Sequence, residues 1–240
     1  AIYFPSTGII DSHGLMKQLE TDSIVSGTQI AYNNNIIGIQ KIVKGYSVMI
    51  EEEGGAFEIT TEIVINASGL EAYTTSSLIG LKQAEYKIFF WKGEYFGIGN
   101  GKNKLINSLV YPIPNKNITG LGVHATIDLN QGAKLGPNAI FLKDNRLDYR
   151  VDIMNKSSFF DSARKFLPFL EFDDLHPDQA GIRPKLQKPN DSFRDFIIKN
   201  EKDNGFKNFI NCLGIESPGL TSCLAIAEYV KNYSNKDVKI

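Results

Sequence analysis

The chain has 240 residues, enough to bury a substantial core in one large domain or two small ones. Lys plus Arg number 26 against 27 Asp plus Glu, a net charge of −1 that argues against a polyanion such as nucleic acid as the main partner. Charged residues make up 22% and hydrophobic residues 42%, which excludes a disordered chain.

No apolar run reaches the roughly 18 residues of a membrane span, and no basic-then-apolar leader opens the sequence. Cys212 and Cys223 make neither a disulfide framework nor a metal site, so a reducing, cytoplasmic compartment is the default expectation.

In chain order, Asp11 or Ser12 caps a helix predicted to about Ser23, with Leu15, Leu19 and Met16 on its buried side. Strands are predicted over about 28–32, 36–43, 46–52 and 56–61, with turns at Asn33–Asn35, Gly45 and Gly54–Gly55. Glu62–Asn66 is a continuous apolar run, as a strand buried on both faces requires, and it feeds a helix from about Glu71. The aromatic stretch from 85 to 130 reads as long antiparallel strands at 86–91, 105–111 and 121–125. Residues 157–170 have helical periodicity, with Phe159, Phe160, Ala163, Phe166, Leu167 and Leu170 on one side. Short strands follow at 195–198 and 209–213. A helix is predicted from about Gly219 to Asn232, with Leu220, Cys223, Leu224, Ala227 and Val230 inward, and the tail from Ser234 reads as frayed. The fold class is α/β to α+β, in two units interleaved along the chain.

Four segments could carry chemistry. Asn66-Ala67-Ser68-Gly69 puts small residues after a buried strand, where open α/β sheets bind ligands; an ordinary tight turn is the competing reading. Gly214 to Thr221 is a Gly/Pro loop feeding a helix, whose N–H groups suit an anion or an electron-rich ring; a plain helix entry competes. Arg183, one of only five Arg, lies between Gly181-Ile182 and Pro184 and suits a carboxylate or phosphate; a surface loop Arg competes. His124 stands in an apolar strand, where it is a candidate general base or a structural histidine. His13 and His176 read as loop or cap residues. Gly132–Asn138 is a turn-rich stretch that offers a cation at Lys134, with a plain hairpin loop as the competing reading, and Gly97-Ile98-Gly99-Asn100-Gly101 lacks the spacing of a nucleotide loop.

The order and context of these blocks are more specific than any one of them. Pro5-Ser6-Thr7-Gly8-Ile9-Ile10-Asp11, Val64–Gly69, Tyr111-Pro112-Ile113-Pro114, Leu121-Gly122-Val123-His124-Ala125-Thr126, Leu135-Gly136-Pro137-Asn138-Ala139, Ala180-Gly181-Ile182-Arg183-Pro184-Lys185-Leu186 and Ile215–Thr221 together resemble the D-amino-acid-oxidase-like FAD-dependent oxidoreductases, closest to the L-2-hydroxyglutarate dehydrogenase/oxidase branch. That family opens with a strand, a Gly-x-Gly-x-x-Gly turn and a helix for the FAD pyrophosphate, and no such turn occurs in this sequence, which starts at Ala1. The resemblance therefore implies the C-terminal part of a longer flavoprotein: a mixed substrate-domain sheet from 1–10 and 76–175, beside an incomplete FAD-binding domain from 11–75 and 176–240.

The resemblance further implies FAD as cofactor, approached by Asn66, Ala67, Ser68, Gly69, Gly181, Ile182, Gly214, Glu216, Ser217, Pro218, Gly219, Leu220 and Thr221, with the helix from about Gly219 aimed at the flavin. It implies oxidation of a small 2-hydroxy acid, His124 taking the hydroxyl proton, Arg183 holding a carboxylate or facing the flavin, and Tyr111 or Lys134 assisting. An amine or amino-acid oxidase and a glycerol-3-phosphate dehydrogenase are sibling alternatives, and a non-catalytic substrate-binding module is a third. The same resemblance leaves room for peripheral membrane or quinone contact in a longer protein, and an exposed sheet edge for self-association. Without the pyrophosphate turn, binding of FAD by this chain should be weak or absent.

Overall fold

The computed structural model describes residues 2–113 and 122–235. Pro114, Leu121 and the tail beyond Asn235 lie outside the described residues. The elements in chain order are α1 (Ser12–Val25), β1 (Asn35–Lys41), β2 (Tyr46–Glu52), β3 (Gly55–Thr61), β4 (Val64–Asn66), α2 (Ala72–Leu78), β5 (Phe89–Ile98), β6 (His124–Ile127), β7 (Ala133–Gly136), β8 (Ile140–Phe141), α3 (Lys156–Ala163), β9 (Leu175–Lys185), β10 (Ile197–Asn200), β11 (Phe209–Leu213) and α4 (Cys223–Asn235). Helices and mixed sheets thus combine as an α/β to α+β fold. Among the described residues no helix is long and apolar enough to cross a membrane.

Two compact units form, each from two separate stretches: 1–28 with 91–182, and 29–90 with 183–240. The sequence reading places its boundaries instead after residues 10, 75 and 175.

The first unit is built on a five-stranded sheet in which β7 lies between β6 and β5, while β8 and β9 also pair with β5. One face of this sheet is apolar. Ala125, Leu135 and Phe96 are wholly buried and meet Phe159 and Ala163 of α3, with Leu167, Leu170 and Leu175 closing the cluster. The Phe96 and Phe159 rings lie 4.8 Å apart. Gly136 is required where it stands: its φ is +139°, and a Cβ there would sit 2.7 Å from the Glu94 carbonyl oxygen and 2.8 Å from the Tyr95 ring.

A buried ionic cluster ties β5 to Asn138 and to the segment 150–155. The Glu94 carboxylate is fully buried and accepts from Lys92 Nζ at 2.9 Å, Asp152 N–H at 3.1 Å, Asn138 Nδ2 at 3.0 Å and Asn155 Nδ2 at 2.7 Å. Asn138 Oδ1 in turn accepts from the Glu94 N–H at 2.8 Å, so the segment after Gly136 is clamped to β5. Burial pushes the Glu94 carboxyl up, but the Lys92 ammonium and the three N–H donors together outweigh it and hold it below its ordinary range.

The second unit holds two sheets. β1, β2 and β3 form an antiparallel meander, with a register shift between Ile36 and Gly38. The other sheet runs β10-β11-β4, with β10 antiparallel to β11 and β11 parallel to β4. Ile210, Cys212 and Val230 form its buried centre, flanked by Ile63, Ile198, Ile215, Ile226 and Tyr233. Burial raises the Cys212 thiol pKa.

Several expectations are corrected. Residues 28–32 are exposed and pair with nothing, so no strand forms there. On α1, Asp11 caps as expected, accepting from the Gly14 N–H at 2.9 Å, but Leu15 and Leu19 are only half-buried and Met16 is exposed. β4 lies at a sheet edge with Ile65 51% exposed, so it is not buried on both faces. Residues 105–111 contribute a single bridge, Val110 to Ala125, in place of a strand. The helix expected over 157–170 ends at Ala163, and the chain reaches Pro168 through turns. Gly132–Asn138 is no hairpin loop, because 133–136 are the inner strand β7. The longest strand, β9, escapes the sequence reading because Pro177, Gly181 and Pro184 punctuate it, and it carries His176, expected in a loop or cap. On α4 the inward face is Ile226, Val230 and Tyr233, while Leu224 and Ala227 are exposed.

Candidate functional site

In the second unit, β4 and β11 run parallel with Asn66 opposite Asn211, so the loops at 66–69 and 214–221 leave the same edge of the sheet. That is where an open α/β sheet offers a ligand site. Asn66 shapes its loop from within. Its Nδ2 donates to the Ala72 carbonyl and to Asn211 Oδ1, both at 2.8 Å, and its Oδ1 accepts from Ser68 Oγ at 2.7 Å. Ala67 and Ser68 are exposed and Gly69 is half-buried.

This contact opens a buried polar chain that carries no motif in the sequence. Ser76 Oγ donates to Asn211 Oδ1 at 2.7 Å, Asn211 Nδ2 donates to Glu201 Oε1 at 2.7 Å, and Glu201 Oε2 accepts from Tyr86 at 3.0 Å and from Asn204. Glu201 and Asn211 have no solvent exposure. Burial, then the hydrogen bond to Glu201, raises the Tyr86 phenol pKa strongly. The signal in the sequence is an Asn in the middle of the apolar strand Phe209-Ile210-Asn211-Cys212-Leu213. Asn211→Ala should remove one buried hydrogen-bond partner each from Asn66, Ser76 and Glu201 and cost about 2–3 kcal/mol in a urea titration. A loss near zero would show that these groups re-pair or reach water.

The loop after β11 is held from two sides. Gly214 adopts φ +69°, and a Cβ there would lie 2.5 Å from Leu186 Cγ. Lys185 Nζ meets Glu216 Oε1 at 2.7 Å with side chains only 6% and 11% exposed, which ties the end of β9 to the loop. The pair neutralises a carboxylate that would repel an anionic cofactor at this edge. Ser217–Pro218 is cis, and the Gly219 N–H donates to the Glu216 carbonyl at 2.5 Å. Ser217, Pro218, Leu220 and Thr221 are exposed. The helix starts at Cys223 and not at Gly219, because residues 219–222 form a turn in which the Ser222 N–H and Oγ bond the Pro218 carbonyl.

Gly181, Ile182 and Arg183 stand on β9. Arg183 is half-buried and has no hydrogen bond or ion pair with any described residue. Such a guanidinium suits an incoming anion.

In the first unit, Tyr111 and His124 are brought together. Their rings stack with centroids 4.4 Å apart at 21°, and His124 Nδ1 lies 3.0 Å from the Gly122 carbonyl oxygen. A carbonyl only accepts, so Nδ1 carries the proton and the neutral ring has its lone pair on Nε2, the atom a general base uses. Strand pairing fixes the surroundings. His124 lies opposite Gly136, Thr126 opposite Lys134, and Lys134 opposite Gly97. These positions share the face away from the apolar core, since Ala125, Leu135 and Phe96 occupy the other.

The chain also matches known proteins. Residues 1–232 match the family FAD dependent oxidoreductase. The chain is 32% identical to L-2-hydroxyglutarate dehydrogenase, mitochondrial, of Arabidopsis thaliana, over 97% of this chain and 55% of that protein. It is 28% identical to Glycerol 3-phosphate dehydrogenase of Caloramator mitchellensis, over 98% of this chain and 47% of that one. Among solved structures, L-alpha-glycerophosphate oxidase from Mycoplasma pneumoniae, described as having FAD bound, superposes with a TM-score of 0.74 at 23% identity, covering 91% of this chain and 54% of the other. The chain thus spans about half the length of the proteins it matches. On a match that runs nearly end to end, the chain belongs to the family of FAD-dependent oxidoreductases.

Proposed function

We propose that the chain supplies the substrate face and part of the cofactor site of a dehydrogenase that oxidises a small 2-hydroxy acid such as L-2-hydroxyglutarate. The observation that carries this reading is His124, held by the Gly122 carbonyl at Nδ1 and stacked on Tyr111, with its basic nitrogen set at Nε2. His124 takes the proton of the substrate hydroxyl as the C2 hydrogen leaves. In the second unit, Arg183, which pairs with no described residue, offers its guanidinium to an anion.

A place for the family's cofactor in the second unit is supported by the parallel pair β4 and β11, whose following loops leave the same end of the sheet. Gly214 and Gly219 let the backbone pack closely beside the sheet edge, and a Cβ on Gly219 would meet the Glu216 carbonyl oxygen at 2.6 Å. Lys185 cancels the charge of Glu216. FAD, when bound, supplies the acceptor for two electrons. The residues proposed to hold it are the loops 66–69 and 214–221.

A second reading, oxidation of glycerol 3-phosphate, is supported by the resemblance to the Caloramator protein. Titrating FAD into the protein and following flavin fluorescence should give weak but saturable quenching. L-2-hydroxyglutarate, added without oxygen, should then bleach the flavin band faster than glycerol 3-phosphate or glycine. The reverse order would favour a sibling activity, and no quenching at high micromolar FAD would remove the two loops from the cofactor site.

A further inference from the structure

We propose that the polar face of β6, β7 and β5 carries a second anion subsite, with Lys134 as its cation, for the distal carboxylate of a dicarboxylic 2-hydroxy acid. The inference rests on the reading of His124 as the base that addresses the hydroxyl group.

The register places the two groups. Lys134 is two residues along β7 from Gly136, the residue opposite His124, and both side chains leave the same face. A two-residue step along a strand is about 7 Å. In a five-carbon hydroxy diacid the distal carboxyl carbon is three bonds from C2, and those bonds with the flexible lysine stem cover such a step. The positions between and beside them are Gly136 and Gly97, and the space a side chain would take there is filled by the Tyr95 ring and the His176 imidazole, so two aromatic rings floor the subsite.

The charge of Lys134 is oriented but not consumed. Its Nζ lies 5.5 Å from the centroid of the Tyr95 ring, and its nearest carboxylate, Asp178 Oδ2, is 3.9 Å away. A direct ammonium–carboxylate hydrogen bond is about 2.7–2.9 Å long, so the contact with Asp178 is electrostatic and leaves the N–H donors available. The side chain is 26% exposed, enough shielding to strengthen a bond to an incoming carboxylate while keeping it reachable. On the opposite side of β7, Ala133 and Leu135 belong to the apolar core, so the lysine has no structural role there.

The test is binding of L-2-hydroxyglutarate and of L-2-hydroxypentanoate, the monoacid with the same carbon chain, to the 240-residue chain by calorimetry or ligand-observed NMR. Wild type should bind the diacid about tenfold more tightly. Lys134→Met should reduce that preference to near unity and Lys134→Arg should restore most of it, with circular dichroism confirming that both variants fold. A diacid preference that survives Lys134→Met, or an equal loss for both acids, overturns the subsite. Equal binding of the two acids by wild type overturns the subsite while sparing the reading of His124. Failure of wild type to bind either acid overturns both, and tighter, Lys134-dependent binding of glycerol 3-phosphate shows that the distal group is a phosphate, which overturns the carboxylate assignment.

Discussion

Glu94→Ala is expected to cost the protein about 3–5 kcal/mol, the range seen when one partner of a buried ion pair is removed. Glu94 is fully buried and Lys92 is 6% exposed, so the substitution leaves an ammonium with only the Arg150 carbonyl, at 2.8 Å, and the distant Asp148 carboxylate at 3.9 Å. Asn138 Nδ2, Asn155 Nδ2 and the Asp152 N–H lose their acceptor at the same stroke. Glu94→Gln keeps the shape and one acceptor and should cost less. The pH dependence follows from the sign of the shift. The native carboxyl lies below its ordinary value of 4.5, so its contribution is present above that value and is lost as pH falls through the native pKa. The stability gap between wild type and Glu94→Gln should therefore hold between pH 6 and 8 and close in acid, below about pH 4. Urea titrations at several pH values read both effects; a gap that stays constant down to pH 3 would contradict the depressed carboxyl.

The second large effect concerns chemistry. In FAD-loaded protein, His124→Ala should slow flavin reduction by a 2-hydroxy acid about 100-fold or more, the usual contribution of a positioned general base. The loss should be smaller at high pH, where a larger share of substrate hydroxyl is ionised without help. Because His124 is 9% exposed and stacked on Tyr111, the variant also loses packing, so substrate affinity should be measured separately from the rate. Stopped-flow bleaching across a range of substrate concentrations separates the two. A variant reduced at nearly the wild-type rate would falsify the assignment of His124 as base. Tyr111→Phe retains the stack and should leave the rate within a few-fold, since the ring and not the hydroxyl makes the observed contact.

How much of this was legible in the residues depends on the range of the interactions concerned. The Asp11 cap, the β2–β3 hairpin and the strand–loop–helix at 62–78 were readable, because each is written in a few neighbouring residues: a carboxylate next to a free helix N–H, alternation around Gly54–Gly55, an apolar run ending in small residues. The blocks around His124, Arg183 and Gly219 were also readable, and their order placed the chain in its family. β9 was not readable, because its prolines and glycine argue locally against a strand; only pairing with β5 makes it one. Nor was β7, a turn-rich stretch that becomes the middle strand because β6 and β5 flank it.

The same division holds at the site. Sequence by itself fixed the residue types: a histidine in an apolar strand, an arginine between Gly181-Ile182 and Pro184, a Gly/Pro loop before a helix. Tertiary structure alone decided which of them act together. It stacked Tyr111 on His124, set Lys134 on the same face, paired Lys185 with Glu216, and sealed Asn66, Asn211 and Glu201 into one hydrogen-bonded chain. Those partners are separated by 10 to 145 residues in sequence where the hydrogen bonds of that chain are concerned. Their meeting depends on strand register and on burial, which raises the cost of any unpaired polar group and so selects the one arrangement that satisfies them all.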